Sequence, residues 1–320
     1  MARKNRKAMK PFFPVPALFL AAYLAAVLAS CASVPRTLTE AEALGDGFAF
    51  LDPGGLVYLT LDVPKSRPIL DRVSIGGIRG DQAAQALDMT DTAAAAVYPS
   101  EDGRAFLLAA RGRYPSSRMR FSLGLSSSWK KTRSETGGRY WRSGRDGLSV
   151  YVEPRYALFS DGDPFPHTGG VKAPERFREL NEGAVLAGWI PDAESLIDRF
   201  LSGMGVPLSI PADLLIFGVY PDAALDAAEP DAVNPGSRFF AKFRLELPSA
   251  SHAGALVSMI SLFRAFMVNS DMPGAGGFSL VPYLFANAPV REGSSLILTT
   301  AGMDAEKIAL LFNMFSIYSK

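Results

Sequence analysis

The hydrophobic pattern divides the chain into one long apolar run near its start and many short ones after it. From Ala17 to Val27 lie eleven residues without a charge, Ala-Leu-Phe-Leu-Ala-Ala-Tyr-Leu-Ala-Ala-Val. Beyond Val27 the periods become those of strands and short helices. Gly55 to Val63 is β-branched and aromatic enough for a half-buried strand. Ser66 to Val73 carries Ile69, Leu70 and Val73 at helical spacing, and a short helix is expected near Gln82 to Leu87. Ala93 to Tyr98 and Ala105 to Tyr114 predict a hairpin around the Glu101-Asp102-Gly103 turn. Ser116 to Trp129 predicts a second helix; Leu148 to Val152 and Arg155 to Phe159, separated by Pro154, predict closing strands. The order β-α-β-β-α-β is that of the ferredoxin-like unit, whose helices cover one face of an antiparallel sheet.

The second half repeats this order. Val63 to Arg72 aligns with Ile190 to Arg199, Ala96 to Pro99 with Gly218 to Pro221, Phe106 to Pro115 with Phe239 to Pro248, and Tyr156 to Gly162 with Leu296 to Gly302. Two further helices are expected: Ala253 to Val268, with Leu256, Ile260, Phe263 and Phe266, and Asp304 to Ile317, with Ile308, Leu311, Phe312 and Phe315. Asp304 and Glu306 lie where the dipole of the last helix favours acids. The expected fold class is therefore α+β, two ferredoxin-like repeats packed together over 48–162 and 181–320. The segment 163–180 between them reads as a linker, because its approach and first half are rich in Pro and Gly.

The apolar run has the form of a secretory signal. Arg3, Lys4, Arg6, Lys7 and Lys10 precede it, and no acid occurs before Glu40. Eleven residues are too few to cross a hydrocarbon layer, which takes about 20. The run ends in Leu28-Ala29-Ser30-Cys31, and Cys31 is the single Cys of the chain. A lone Cys has no internal disulfide partner, and an idle thiol in an oxidising compartment is a hazard. These four residues resemble the lipobox of bacterial lipoproteins. The resemblance implies diacylglycerol on the Cys31 thiol, cleavage between Ser30 and Cys31, and acylation of the new N-terminus; two or three acyl chains hold a protein stably where one does not. It divides the start of the chain into a signal peptide, 1–30, and a tether, 31–47. Ala32, in place of the Asp that retains enterobacterial lipoproteins in the inner membrane, favours the outer membrane.

Charge changes the picture once the signal is set aside. The remaining 290 residues hold 28 Lys and Arg against 32 Asp and Glu, net −4. Ten cations nevertheless fall in one window with a single acid, Glu135: Arg111, Arg113, Arg118, Arg120, Lys130, Lys131, Arg133, Arg139, Arg142 and Arg145. Tyr114, Trp129, Tyr140 and Trp141 are interleaved with them. Such a window suits an anionic partner at a membrane: anionic lipid, lipopolysaccharide phosphate or an acidic protein. It also fits a solvated face paired with acids from elsewhere in the fold. Export leaves nucleic acid out of reach.

Signals for catalysis are weak. The chain has two His, His167 and His252, and neither G-x-S-x-G, H-E-x-x-H nor a phosphate-binding P-loop occurs. Ser127 to Lys130 and Ser128 to Lys131 match S-x-x-K without its companion motifs, and Asp161-Gly162-Asp163 reads as an acidic turn more than a calcium loop. No catalytic residue, metal or cofactor is expected. The leading expectation is a non-enzymatic binding or scaffolding protein held at the envelope by lipid. An enzyme acting on envelope polymers, or a carrier of a small apolar ligand between the repeats, are the alternatives.

Overall fold

A computed structural model describes residues 47–72, 87–99, 105–145, 147–165, 167, 170–203, 209–222, 238–269 and 280–317. The signal, the lipobox, most of the tether, the helix expected near Gln82 and the 101–103 turn lie outside these residues. The structure is α+β, with thirteen strands in one sheet and seven helices among the described residues.

The first strand, β1 (Val57–Asp62), runs straight into α1 (Val63–Leu70). Asp62 caps that helix by accepting from the Lys65 N–H at 3.2 Å, and Pro64 sits in its first turn, where no N–H is needed. The helix therefore starts three residues before Ser66. The hairpin follows as β2 (Thr90–Val97) and β3 (Phe106–Gly112). Then α2 (Ser116–Leu125) stops short of Trp129, which opens a strand instead: β4 (Trp129–Arg133) and β5 (Arg139–Ser143) form a second hairpin where a helix end was expected and no element after it. β6 (Ser149–Val152) and β7 (Tyr156–Ser160) complete the first half.

The segment 163–180 is no free linker. It includes the start of α3 (Phe177–Asn181), and Phe177 and Leu180 are buried against the sheet. The second half continues as β8 (Leu186–Ile190), α4 (Ala193–Gly203), β9 (Leu214–Pro221), β10 (Arg238–Glu246) and α5 (Ala250–Asn269). It ends with α6 (Val281–Leu284), β11 (Val290–Glu292), β12 (Ser295–Thr299), β13 (Met303–Asp304) and α7 (Ala305–Ile317).

The strand order is β11-β12-β10-β9-β8-β1-β2-β3-β7-β6-β5-β4, with β13 beside β10, and every described pair is antiparallel. A ferredoxin-like unit interleaves its strands; here β1, β2 and β3 are neighbours in chain order. The reason lies in the register. Val57↔Val97 through Asp62↔Thr92, continued by Ala96↔Leu107, brings Tyr58, Ala96 and Leu107 to one face, where they join a single buried cluster. The halves are joined edge to edge through β1 and β8, with Tyr58↔Trp189 and Leu61↔Leu186 as the limits of the pairing. Gly188 faces Leu59 at this junction, and a Cβ there would collide with the Tyr58 carbonyl.

Alternation along the strands sends residues to two different cores. One face carries the helices other than α3: Phe106 and Phe159 pack with Met119 and Leu123 of α2, Leu215 and Leu245 with α4 and α5, Val219 and Phe239 with α1 and α7. The opposite face is aromatic. Trp189, 3% exposed, stacks on Tyr58 at 4.8 Å and meets Phe48 and Phe177 edge-on at 4.7 and 4.8 Å. Each such pair adds about 0.5–1.5 kcal/mol beyond the area it buries. The Val171 N–H donates to the Phe48 carbonyl at 3.0 Å, tying the segment between the halves to the first described turn, Gly47–Phe50.

Candidate functional site

The basic window does not form one surface. Arg118 and Arg120 ride on α2, Arg111 lies opposite Tyr156 on β3, Arg113 follows that strand, and Arg145 lies beyond β5. Lys130, Lys131 and Arg133 are on β4, and Arg139 and Arg142 on β5. The β4–β5 register then splits the hairpin cations between faces. Lys131 opposes Trp141, and its Nζ lies 5.7 Å from that ring's centre on the helix-bearing side. Lys130 opposes Arg142 on the other side, and Arg133 opposes Arg139. Arg120 is already used: its guanidinium donates to the Val152 carbonyl at 2.6 and 3.0 Å and pairs with Glu153.

What the register does gather is an open cavity of about 410 Å³ at the end of this hairpin, lined by Arg133, Glu135, Tyr140, Arg142, Gly162, Asp163 and His167. Its walls are fixed from behind. Asp163 accepts from the Ser134 hydroxyl at 2.5 Å and the Phe165 N–H at 3.0 Å, and the His167 N–H donates to the buried Asp52 carboxylate at 2.8 Å. Phe165 packs on Tyr151 at 4.8 Å and Tyr140 at 6.3 Å. Burial and the nearby Asp163 carboxylate push the Tyr140 phenol above its ordinary pKa, against the opposing pull of Arg142. Tyr140 is thus a neutral hydroxyl at physiological pH. Residues of both charge signs, a tyrosine and a histidine line the cavity, so it is not a uniformly basic patch.

Glu135, Tyr140, Asp163 and His167 were not identified from sequence as parts of one site. Asp163 and His167 sit among prolines and glycines, with no period to reveal that their segment folds back onto β4 and β5. Ser30 and Cys31 lie outside the described residues. The S-x-x-K matches dissolve: Ser127 and Ser128 follow the end of α2 while Lys130 and Lys131 are on a strand, so no helix aligns them. The Asp161 carboxylate accepts from the Ala105 and Phe106 N–H groups, as suits a structural acidic turn. His252, in the first turn of α5, hydrogen-bonds the Ser249 hydroxyl at 2.8 Å, far along the chain from His167. Among the described residues no group of three or more His, Cys, Asp or Glu is placed to hold a metal ion. No described helix is long and apolar enough to cross a membrane.

These elements define a class: mixed α+β proteins built on one large antiparallel sheet. Within it the chain is similar in fold to the crystal structures of TP0453. Form III aligns with a TM-score of 0.56 and 18% identity over 87% of this chain and 100% of that one. Form I aligns at 0.55 and 16%, covering 87% and 99%, and form IV at 0.55 and 17%, covering 85% and 98%. At such identities the likeness is one of fold. No protein-family model matches the chain, and no curated protein matches it in sequence.

Proposed function

We propose that the chain is a lipid-anchored bacterial envelope protein with a non-enzymatic binding or scaffolding role, built from two α+β repeats joined edge to edge. The observation that carries the anchor is Leu28-Ala29-Ser30-Cys31, which closes an eleven-residue apolar run behind five cations and contains the chain's single Cys. Diacylglycerol on Cys31 and an acyl group on its new amine supply the two or three chains that stable attachment takes. Ala32 favours the outer membrane. The absence of a crossing helix among the described residues is consistent with attachment by lipid.

The strand order supports the duplication. Counting outward from the β1–β8 junction, β2 answers β9, β3 answers β10 and β7 answers β12. The four in-order sequence matches fall on these counterparts and on α1 and α4. Each half then reads β-α-β-β-α-β, with β4, β5 and β6 inserted in the first and α6 and β11 in the second. Such an insertion is where a binding surface is added without disturbing the shared frame. The cavity lies on that insertion.

The anchor is tested by Cys31→Ser in the bacterial host. Incorporation of a palmitate analogue should fall to background, and the protein should leave the membrane fraction. Retention of the unlabelled variant after a high-salt wash would overturn the anchor.

A further inference from the structure

β4 is the last strand of the sheet, so one side of its backbone has no partner strand among the described residues. The hydrogen bonds around it show which groups are left over. The Ser143 N–H donates to the Leu148 carbonyl at 2.7 Å, toward β6, and Trp129, across from Ser143, turns its N–H to the Ser126 carbonyl at 3.2 Å, away from β5. In an antiparallel ladder both backbone groups of a residue point one way, and the direction alternates along the strand. Lys130 and Thr132 therefore face β5, while Lys131 and Arg133 direct their N–H and C=O groups outward, where neither has a backbone partner among the described residues. The side chains on this edge are equally unmatched. β4 and β5 carry five cations and no acid, with Lys130 across from Arg142 and Arg133 from Arg139; like charges so placed repel. Lys130, Lys131 and Arg133 are exposed, and none forms an ion pair among the described residues. A second copy of the chain matches this edge poorly. Two β4 strands would set cations beside cations, and the opposite edge of the sheet, β11, offers one acid, Glu292, which Arg244 already holds at 2.9 Å.

We propose that the β4 edge docks an extended acidic segment of a partner protein, added as a further strand, with Asp or Glu at alternate positions facing Lys131 and Arg133. The outward backbone groups of these two residues supply the main-chain hydrogen bonds of strand addition. Lys131 and Arg133 are two positions apart and share one face of the sheet, so acids two residues apart on the added strand fall opposite both. Each new cross-strand pair is attractive where the present neighbours repel. Lysines on an edge guard it against pairing with uncharged or basic strands; the same charge admits an acidic one. The proposal deepens the binding role stated above by naming the kind of partner, and rests on that reading only for the compartment.

The test titrates the full chain in non-ionic detergent with the peptide acetyl-Thr-Val-Glu-Thr-Glu-Val-Thr-amide and follows amide hydrogen exchange. Exchange at Lys131 and Arg133 should slow when the peptide is added, and exchange at Lys130 and Thr132, which face β5, should not change. Methylating both Glu nitrogens of the peptide keeps its charge and removes its donors to β4, so binding should fall about tenfold or more. Replacing one Glu by Gln should cost about two- to fivefold, the size of a cross-strand charge pair. Lys131→Pro should abolish binding with the melting temperature unchanged, since an edge N–H turned to solvent is where a strand tolerates Pro; Lys131→Gln should only weaken it, as the single Gln peptide does. Equal binding of the methylated and unmethylated peptides, or no slowing at Lys131 and Arg133, would overturn the proposal. So would binding of phosphatidylglycerol vesicles but not of the peptide, which assigns the cations to a membrane, or slowing of the same amides on concentrating the chain alone, which assigns the edge to a second copy. None of these outcomes bears on acylation of Cys31.

Discussion

Arg244, on β10 in the second half, is 3% exposed and donates to Glu246 at 2.6 Å, Glu292 at 2.9 Å and Ser295 at 2.9 Å, while Ser295 in turn donates to Glu246 at 2.6 Å. Arg133 and Arg142, on β4 and β5 at the far end of the same sheet, are exposed and have no acid in ion-pair range among the described residues. The same residue type is closed into a satisfied network in one region and left open in the other. A buried guanidinium costs several kcal/mol in desolvation unless it is paired and hydrogen-bonded, and Arg244 is held by two carboxylates and a hydroxyl. The hairpin arginines keep their hydration. Burial and pairing, more than a count of cations along the chain, separate a structural cation from one left facing solvent.

The contrast breaks first at Arg244. Arg244→Ala should cost about 3–5 kcal/mol, because it strands Glu246 beside the buried Ser295 hydroxyl, whereas Arg133→Ala should stay within about 0.5 kcal/mol; urea denaturation of both variants measures the difference. Equal losses would show that burial does not separate the two groups.

The same network should govern acid stability. Burial works against the Glu246 charge, but hydrogen bonds from Ser295 and Arg244 outweigh it and hold the carboxyl below its ordinary 4.5. A depressed folded-state pKa contributes stability above the unfolded value and loses it as the pH falls through the folded one. Stability should thus decline below about pH 4.5, and Glu246→Gln should flatten that decline at the cost of lower stability at neutral pH. An acid profile unchanged in Glu246→Gln would remove this carboxylate from the account.

The smallest effect belongs to the hairpin. Lys130→Glu turns a repulsive cross-strand pair with Arg142 into an attractive one and should add about 0.2–1 kcal/mol, read as a higher melting temperature whose gain shrinks as salt is added. A loss of stability in low salt would mean that Lys130 and Arg142 do not face each other as the register requires.

Much of this was legible from residue order. The alternation in Val57–Asp62, Phe106–Gly112 and Tyr156–Ser160, and the helical spacing of Ala250–Asn269, announce their elements because each buries a defined face. β4 and β5 were hidden for the opposite reason. Trp-Lys-Lys-Thr-Arg and Arg-Tyr-Trp-Arg-Ser sit at the sheet edge with their charges in solvent, so only Trp129, Tyr140 and Ser143 are buried to betray a period of two. Phe177 and Leu180 were likewise masked by the prolines and glycines before them, although they complete the aromatic core around Trp189.

Residue order alone determined most of the strands and helices and the concentration of positive charge near Lys130, since these depend on neighbours a few positions apart. It could not settle which strands pair, that the halves share one sheet through β1 and β8, or which cations meet acids. Those outcomes turn on contacts between residues tens of positions apart, such as Arg244 with Glu292 and His167 with Asp52. Their energies exist only once the chain has closed on itself, which is why identical side chains end as a sealed network in one place and an open cavity in another.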